Sequence, residues 1–176
     1  MIIYFLRHAS AGEPLSNTKK DEKRALDETG VEQCGYVGRA LAALNVQVEA
    51  ILSSPLKRAA QTASLVGNEM GHEGKLQLED GLRPTATFAD FRKLIDKYAK
   101  LDAIMVVGHN PSLSEFLGRS ISATGCEATV ELKKGAVARV EMSRNAASLT
   151  WCLTPKILRT LYAAAAESSR PKTSRK

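Results

Sequence analysis

The sequence contains few cysteines, few aromatic residues and no long apolar run. Of its 176 residues, three are cysteines and 5% are aromatic. Cys34, Cys126 and Cys152 are scattered, and their spacing matches neither a zinc site nor a disulfide framework. Sparse thiols in an odd number are typical of reduced cytosolic proteins, so we expect a cytoplasmic protein.

An apolar run opens the chain at residues 2–6 and stops at Arg7 and His8. Such a run is too short for the core of a signal peptide, and a membrane-spanning helix needs about 20 apolar residues. We therefore expect no membrane segment. A chain of this length is typical of one globular domain, for which a monomer is the default expectation.

Basic residues outnumber acidic residues, and most of the excess positive charge lies at the C-terminus. The net charge is +6, but residues 168–176 carry four cations and no acid, which leaves +2 for residues 1–167. A segment of Ser, Pro, Lys and Arg cannot bury apolar area, so we expect a single domain over residues 1–167 and a disordered basic tail over residues 168–176. Four charges are few for an arm that binds nucleic acid, and we expect no nucleic-acid partner.

Short apolar runs alternate with amphipathic segments along most of the chain. Residues 2–6, 50–52 and 103–107 are unbroken apolar runs, as expected of strands buried on both faces of a parallel sheet. Apolar residues three or four positions apart predict helices between and after these runs. The pairs Ser54-Pro55 and Asn110-Pro111 predict a helix N-cap followed by proline at the first helical position.

The pattern changes near the C-terminus. Residues 136–142 and 148–153 alternate between apolar and polar positions, which predicts an antiparallel hairpin with one solvent-exposed face. Residues 154–167 predict a final helix. The sequence therefore predicts an α/β fold, namely a three-layer α/β/α sandwich whose central, mostly parallel sheet carries an antiparallel hairpin at its edge.

The ends of three predicted strands carry the residues that suggest a function. Arg7 and His8 follow the first run, Arg58 comes shortly after the second, and His109 follows the third. The carboxyl ends of parallel strands share one edge of a sheet, and ligands bind there. We therefore expect two imidazoles and two guanidinium groups to line one crevice.

This set of side chains favours a phosphoryl group. Guanidinium groups match phosphate oxygens bidentately, and no carboxylate belongs to the three segments. Two histidines beside fixed positive charge make a poor metal site, so we expect no metal and no cofactor. A neutral imidazole can attack phosphorus, while a second, protonated imidazole stabilises the phosphoryl oxygens. We assign His8 as the nucleophile and His109 as its electrostatic partner, although position alone does not choose between them.

Three segments, LRHASAG, SSPLKRAAQT and VVGHNPSLSEF, resemble the signature segments of the histidine phosphatase superfamily. The short length and the third segment are most similar to the SixA-type phosphohistidine phosphatases. The resemblance implies a phosphoglycerate-mutase-like fold, with His8 as the phosphorylated nucleophile and Arg7, Arg58 and His109 around the phosphoryl group. It also implies that an arginine before the first long helix contacts the phosphate, and Arg24 is the matching candidate.

Two positions depart from the family pattern. Ala9 stands where the superfamily commonly has glycine, which keeps a small residue there. Relatives that cleave phosphate esters usually carry a glutamate as proton donor at the position matched here by Pro84, which leaves Glu79, Asp80, Glu13 or water as candidates. An alkoxide needs a donated proton in order to leave, whereas imidazole, with a pKa of about 6.5, leaves more readily.

We therefore expect a metal-independent phosphatase that hydrolyses phosphohistidine on a protein partner, such as a phosphotransfer domain or a phosphocarrier protein. Ser10 is a candidate hydrogen-bond donor to the phosphate, with a plain turn residue as the alternative. The competing functions are a small-molecule phosphomonoester phosphatase, a phosphomutase and a non-catalytic phospho-binding module. A mutase needs a closed site that shields the phosphoenzyme from water, which short loops do not supply.

Overall fold

The computed structural model describes residues 1–123, 126–144 and 146–168, which form a six-stranded sheet flanked by helices. The strands are β1 Ile2–Arg7, β2 Ala50–Ser53, β3 Gln77–Leu78, β4 Ala103–Gly108, β5 Val137–Met142 and β6 Ala147–Leu153. The helices are α1 Thr18–Glu22, α2 Glu28–Ala43, α3 Lys57–Glu69, α4 Phe88–Lys97, α5 Ser112–Ile121 and α6 Pro155–Ser168. The expected basic tail lies outside the described residues, except for Ser168 at the end of α6.

The sheet has the strand order β3-β2-β4-β1-β5-β6. The first four strands in this order are parallel to their neighbours, whereas β5 runs antiparallel to β1 and β6 runs antiparallel to β5. This arrangement confirms the predicted α/β fold with a mostly parallel centre and an antiparallel hairpin at one edge.

Both faces of the sheet are covered, because successive residues of a strand point to opposite sides. On one face, Ile3 and Phe5 of β1 belong to a buried cluster with Phe91 of α4 and Phe116 of α5. On the other face, the intervening residues of β1 pack in a second cluster with α2, α3 and α6. The two clusters make the three layers of the sandwich and hold β1, β2 and β4 rigidly in its centre.

Two helices begin later than their proline signatures predict. The helix α3 starts at Lys57 with Leu56 at the N-cap, and α5 starts at Ser112 with Pro111 at the N-cap. The predicted caps at Ser54 and Asn110 are therefore wrong. The Ser54 hydroxyl accepts from the backbone N–H of Leu56, ahead of the first residue of α3, and also contacts His109, while the Asn110 amide donates to the carbonyl oxygen of Leu132 at 2.9 Å.

None of the helices in the described part of the chain combines the length and the apolar character needed to cross a membrane.

Candidate active site

The ends of three strands meet at one edge of the sheet and bring the predicted residues to one cavity. Strand β4 lies between β1 and β2, with Arg7 paired in register with Gly108 and Ser53 with Val107. The segments that follow these strands therefore lie side by side. The cavity has a volume of about 230 Å³ and is lined by Arg7, His8, Gly12, Pro14, Asp21, Arg24, Arg58, Pro84, His109, Asn110 and Lys134.

His8 is buried at this cavity in a defined hydrogen-bonding state. Its Nδ1 lies 2.7 Å from the carbonyl oxygen of Ala9. Because a carbonyl only accepts, Nδ1 carries the proton, and Nε2 of the neutral ring holds a lone pair. Burial lowers the pKa of His8 to about 4, with the nearby charges of Arg58 and Arg7 acting in the same direction and the Ala9 hydrogen bond opposing it. His8 is therefore neutral at pH 7.

His109 is the second imidazole of the cavity, with its ring centroid 5.0 Å from that of His8. Its Nε2 shares a hydrogen bond of 2.9 Å with the Ser54 hydroxyl, and its buried Nδ1 has no hydrogen-bond partner among the described residues. Burial lowers the pKa of His109 to about 2, and the charge of Arg58 adds to the effect. The ring is thus neutral in the free site, whereas a bound dianion would favour the predicted protonated form.

Arg7 and Arg58 hold their guanidinium groups at the cavity through hydrogen bonds made by Nη1. Nη1 of Arg7 donates to the carbonyl oxygen of Leu132 at 2.9 Å, and Nη1 of Arg58 donates to Asp21. The Nε atoms of both arginines are buried and find no hydrogen-bond partner within the described chain. Both side chains line the cavity and are permanently charged, so they are suited to an anion that accepts from their guanidinium groups.

Arg24 also reaches the cavity. Its Nη1 donates to the carbonyl oxygens of Ala11 and Gly12 at 2.7 and 3.0 Å, and its Nε donates to Asp21 at 2.8 Å. These contacts hold the loop after His8 against the segment that carries Arg24. The structure therefore brings Arg24 together with the four residues of the predicted cluster.

Ser10 lies beside the cavity but does not line it. Its hydroxyl donates to Asp27 Oδ2 at 2.8 Å, and the same carboxylate oxygen accepts from the backbone N–H of Gly12 at the same distance. Asp27 also caps α2 by accepting from the backbone N–H of Gly30. Ser10 thus helps to fix the loop after His8, and its contact with phosphate stays a prediction.

Pro84, which the sequence analysis matches to the proton donor of ester-cleaving relatives, lines the cavity. The three carboxylates considered as proton donors, Glu13, Glu79 and Asp80, do not line it. Glu79 instead accepts from Lys97 and Tyr98, and Asp80 accepts from Arg83.

Two charged cavity residues, Asp21 and Lys134, were not predicted from the sequence. Asp21 lies in the five-residue helix α1, and Lys134 precedes Gly135, whose φ of +71° is in the region that favours glycine. The backbone N–H of Gly135 lies 3.2 Å from the carbonyl oxygens of both Arg7 and His8, which places Lys134 at the cavity. The spacing of Asp21 three residues before Arg24, which lies just beyond the end of α1, is the one signal that was available.

The described residues contain no group of three or more His, Cys, Asp or Glu side chains that could hold a metal ion.

Comparisons with known sequences converge on one family. Residues 3–100 match the model of the histidine phosphatase superfamily, branch 1. An uncharacterized protein of Picosynechococcus sp. is 34% identical over 119 residues, which cover 66% of this chain and 70% of that protein. The mitochondrial serine/threonine-protein phosphatase Pgam5 of Drosophila persimilis is 35% identical over 71 residues, which cover 40% of this chain and 24% of Pgam5.

Solved structures share the fold at lower sequence identity. The protein histidine phosphatase SixA complexed with tungstate superposes with a TM-score of 0.76 at 21% identity, covering 90% of this chain and 99% of that one. Phosphoglycerate mutase from Bacillus anthracis gives a TM-score of 0.69 at 13% identity, covering 90% and 95%. The fold is therefore phosphoglycerate-mutase-like.

Proposed function

Because the chain belongs to the histidine phosphatase superfamily, we propose that it hydrolyses phosphohistidine on a protein partner through a phosphorylated His8. The observation that carries this proposal is the state of His8. It is a neutral imidazole with a lone pair on Nε2, and it lies in a cavity that is also lined by Arg7, Arg24, Arg58 and His109. A nucleophile of this kind surrounded by fixed cations is suited to attack on phosphorus.

In the first step, Nε2 of His8 forms a bond to phosphorus while the bond between phosphorus and the substrate's imidazole nitrogen breaks. The substrate ring takes a proton from water on its other nitrogen and departs as neutral imidazole, and the hydroxide left behind is neutralised by the proton that the released phosphate gives up after the second step. The positive charge that develops on the His8 ring is stabilised by the carbonyl oxygen of Ala9, which already accepts from Nδ1. The guanidinium groups of Arg7 and Arg58 stabilise the phosphoryl oxygens, and His109 joins them once the dianion favours its protonation.

In the second step, water attacks the phosphorus of phospho-His8. The bond between phosphorus and Nε2 breaks, inorganic phosphate leaves, and His8 returns to its neutral form. No metal takes part in either step of this scheme.

The preference for phosphorus–nitrogen bonds rests on the lack of a suitable acid. Among the cavity-lining residues, Asp21 is the single carboxylate, and hydrogen bonds from the Leu15 backbone and the Arg24 side chain lower its pKa to about 2. A group with this pKa is ionised at pH 7 and cannot donate a proton to an alkoxide. An imidazole leaving group makes a smaller demand on such a donor.

The size of the cavity supports a macromolecular substrate. A volume of about 230 Å³ is below the range of roughly 300–1,000 Å³ that is usual for sites that enclose whole drug-sized ligands. It suits a phosphoryl group presented from the surface of another protein. A phosphotransfer domain or a phosphocarrier protein, met by a monomeric enzyme in the cytoplasm, fits this proposal.

The test compares two substrates and traps the intermediate. We expect the purified protein to release phosphate from a synthetic phosphohistidine peptide faster than from an alkyl phosphomonoester. An alkaline denaturing quench during turnover of the labelled peptide should place the label on His8, and His8→Asn should carry none. Faster turnover of the alkyl ester would favour a phosphomonoester phosphatase, and binding without turnover or labelling would favour a phospho-binding module.

A further inference from the structure

Asp21 occupies an unusual position for a carboxylate, because it lies in a cavity built for an anion. The same cavity is lined by Arg7, Arg24, Arg58 and Lys134, which leaves a net charge of +3 when the imidazoles are neutral. A bound phosphoryl dianion and Asp21 therefore share the same cations. The contacts of Asp21 decide whether it competes with the anion or prepares the site for it.

Each oxygen of the Asp21 carboxylate has a specific partner. Oδ1 accepts from Arg24 Nε at 2.8 Å and from the backbone N–H of Leu15 at 3.0 Å. Oδ2 accepts from Arg58 Nη1 at 3.1 Å, and the backbone carbonyl of Asp21 accepts from the same nitrogen at 2.9 Å. One residue thus fixes two guanidinium groups and the loop between His8 and α1.

The contacts of Asp21 also determine which part of Arg58 is left for a ligand. Nη1 of Arg58 is engaged by Asp21, while Nε is buried and has no partner among the described residues. The Arg58 side chain is 7% exposed, so without a fixed partner its charge would be drawn towards solvent. A carboxylate bound to one edge of a guanidinium group fixes the orientation of its plane. The remaining N–H groups then point in a fixed direction before the ligand binds.

We propose that Asp21 is a positioning residue, which holds Arg24 and Arg58 in the orientation that receives the phosphoryl oxygens. This role rests on the proposed function, because the anion is the transferred phosphoryl group. Its effect on anion affinity has the opposite sign to that of a simple counter-charge. Removal of a counter-charge strengthens anion binding, whereas removal of a positioning group weakens it.

The test measures tungstate affinity by calorimetry, together with KM for a phosphohistidine peptide. Asp21→Asn keeps the size of the side chain but places an N–H₂ group where Arg58 needs an acceptor. We expect the Kd for tungstate and the KM to rise about tenfold or more, as is typical when a charge-assisted hydrogen bond is lost. Asp21→Glu, which keeps the carboxylate, should recover most of the affinity.

The matched control is Glu22→Gln, on the same helix. Glu22 pairs with Arg83 at 3.0 Å and does not line the cavity, so this variant loosens α1 without removing a hydrogen bond of Arg24 or Arg58, and it also removes a negative charge that acts on Arg58. We expect it to bind tungstate at least as tightly as the unchanged protein, because it loses a negative charge but no hydrogen bond of Arg24 or Arg58. Equal losses in both variants would assign Asp21 a general role in anchoring α1, and tighter tungstate binding by Asp21→Asn would make it a counter-charge; either result overturns the proposal.

The two measurements also separate this inference from the proposed function. Loss of tungstate affinity in Asp21→Asn, in a protein that does not cleave the phosphohistidine peptide, would reject the substrate and leave the positioning role standing. Unchanged tungstate affinity in a protein that does cleave the peptide would reject the positioning role alone.

Discussion

The hydroxyl of Ser54 lies 2.9 Å from Nε2 of His109, and both side chains are buried. This hydrogen bond is the single one made by the His109 ring within the described chain, because Nδ1 has no partner there. Ser54 Oγ also accepts from the backbone N–H of Leu56 at 3.3 Å. The start of α3 and the orientation of the second imidazole are therefore linked through one hydroxyl.

Ser54→Ala should lower kcat/KM for a phosphohistidine peptide by roughly tenfold, which corresponds to about 1.4 kcal/mol. The reason is that His109 would lose its fixed orientation and both of its ring nitrogens would be unpaired. Steady-state kinetics measure the effect. Ser53→Ala is the matched control, because Ser53 is equally buried but its hydroxyl donates to the backbone carbonyl of Ser54. An equal decrease in kcat/KM in the two variants would contradict a specific role for Ser54.

Much of the fold could be predicted because the central strands are buried on both faces. Unbroken apolar runs such as that of β1 have few alternatives to a parallel sheet, and the ends of such strands must share an edge. The grouping of Arg7, His8, Arg58 and His109 follows from that geometry alone. The sequence could therefore predict which four side chains come together at the candidate site, along with the strands that carry them there.

The rest of the site depends on contacts that leave no periodic pattern. Asp21 lies on a helix too short to show an apolar stripe, and Lys134 lies in the loop that precedes β5. The serine and asparagine before Pro55 and Pro111 have the form of helix caps, but their side chains also make tertiary contacts, with His109 and with Leu132. A hydroxyl or amide can serve a helix end or a distant partner, and local sequence does not distinguish the two.

Arg7→Ala should raise the Kd for tungstate by roughly tenfold or more, because hydrogen bonds to charged groups contribute about 1.5–3 kcal/mol. Arg7 lines the cavity and carries a buried Nε without a partner among the described residues. Isothermal titration calorimetry measures the change. Arg92→Ala removes the same charge from an exposed position on α4 that does not line the cavity, and it should bind tungstate normally. A similar loss of tungstate affinity in both variants would show that the effect comes from the net charge of the protein and not from a direct contact.

The stability of the protein should fall as the pH drops below about 6.5. His8 and His109 have folded pKa values of about 4 and about 2, both below the unfolded value of about 6.5. Between about pH 6.5 and pH 4 the unfolded chain therefore binds protons that the folded chain excludes. Each histidine then lowers the free energy of unfolding by up to about 1.4 kcal/mol per pH unit.

Denaturant titrations between pH 7 and pH 5 measure this slope, in a range above the titration of most carboxylates. His8→Asn should reduce the slope by about one proton. Tungstate should reduce it as well, because a bound dianion makes protonation of the folded state easier. A slope that is the same with and without His8 would show that this imidazole titrates normally in the folded protein.

Pro84→Glu should create the acid that the cavity lacks. Pro84 lines the cavity together with His8, so a carboxyl group placed there lies in the same cavity as the nucleophile. General acid catalysis contributes typically 10²–10⁴-fold, and even a poorly aligned group should raise turnover of an alkyl phosphomonoester by about tenfold. Turnover of a phosphohistidine peptide should change much less, because its imidazole leaves without a strong acid.

Pro84→Gln is the control, since it makes the same change in backbone freedom and nearly the same change in shape without a titratable proton. A gain that appears equally in the Gln variant would attribute the effect to a wider site and would remove the chemical reason for a preference for phosphorus–nitrogen bonds.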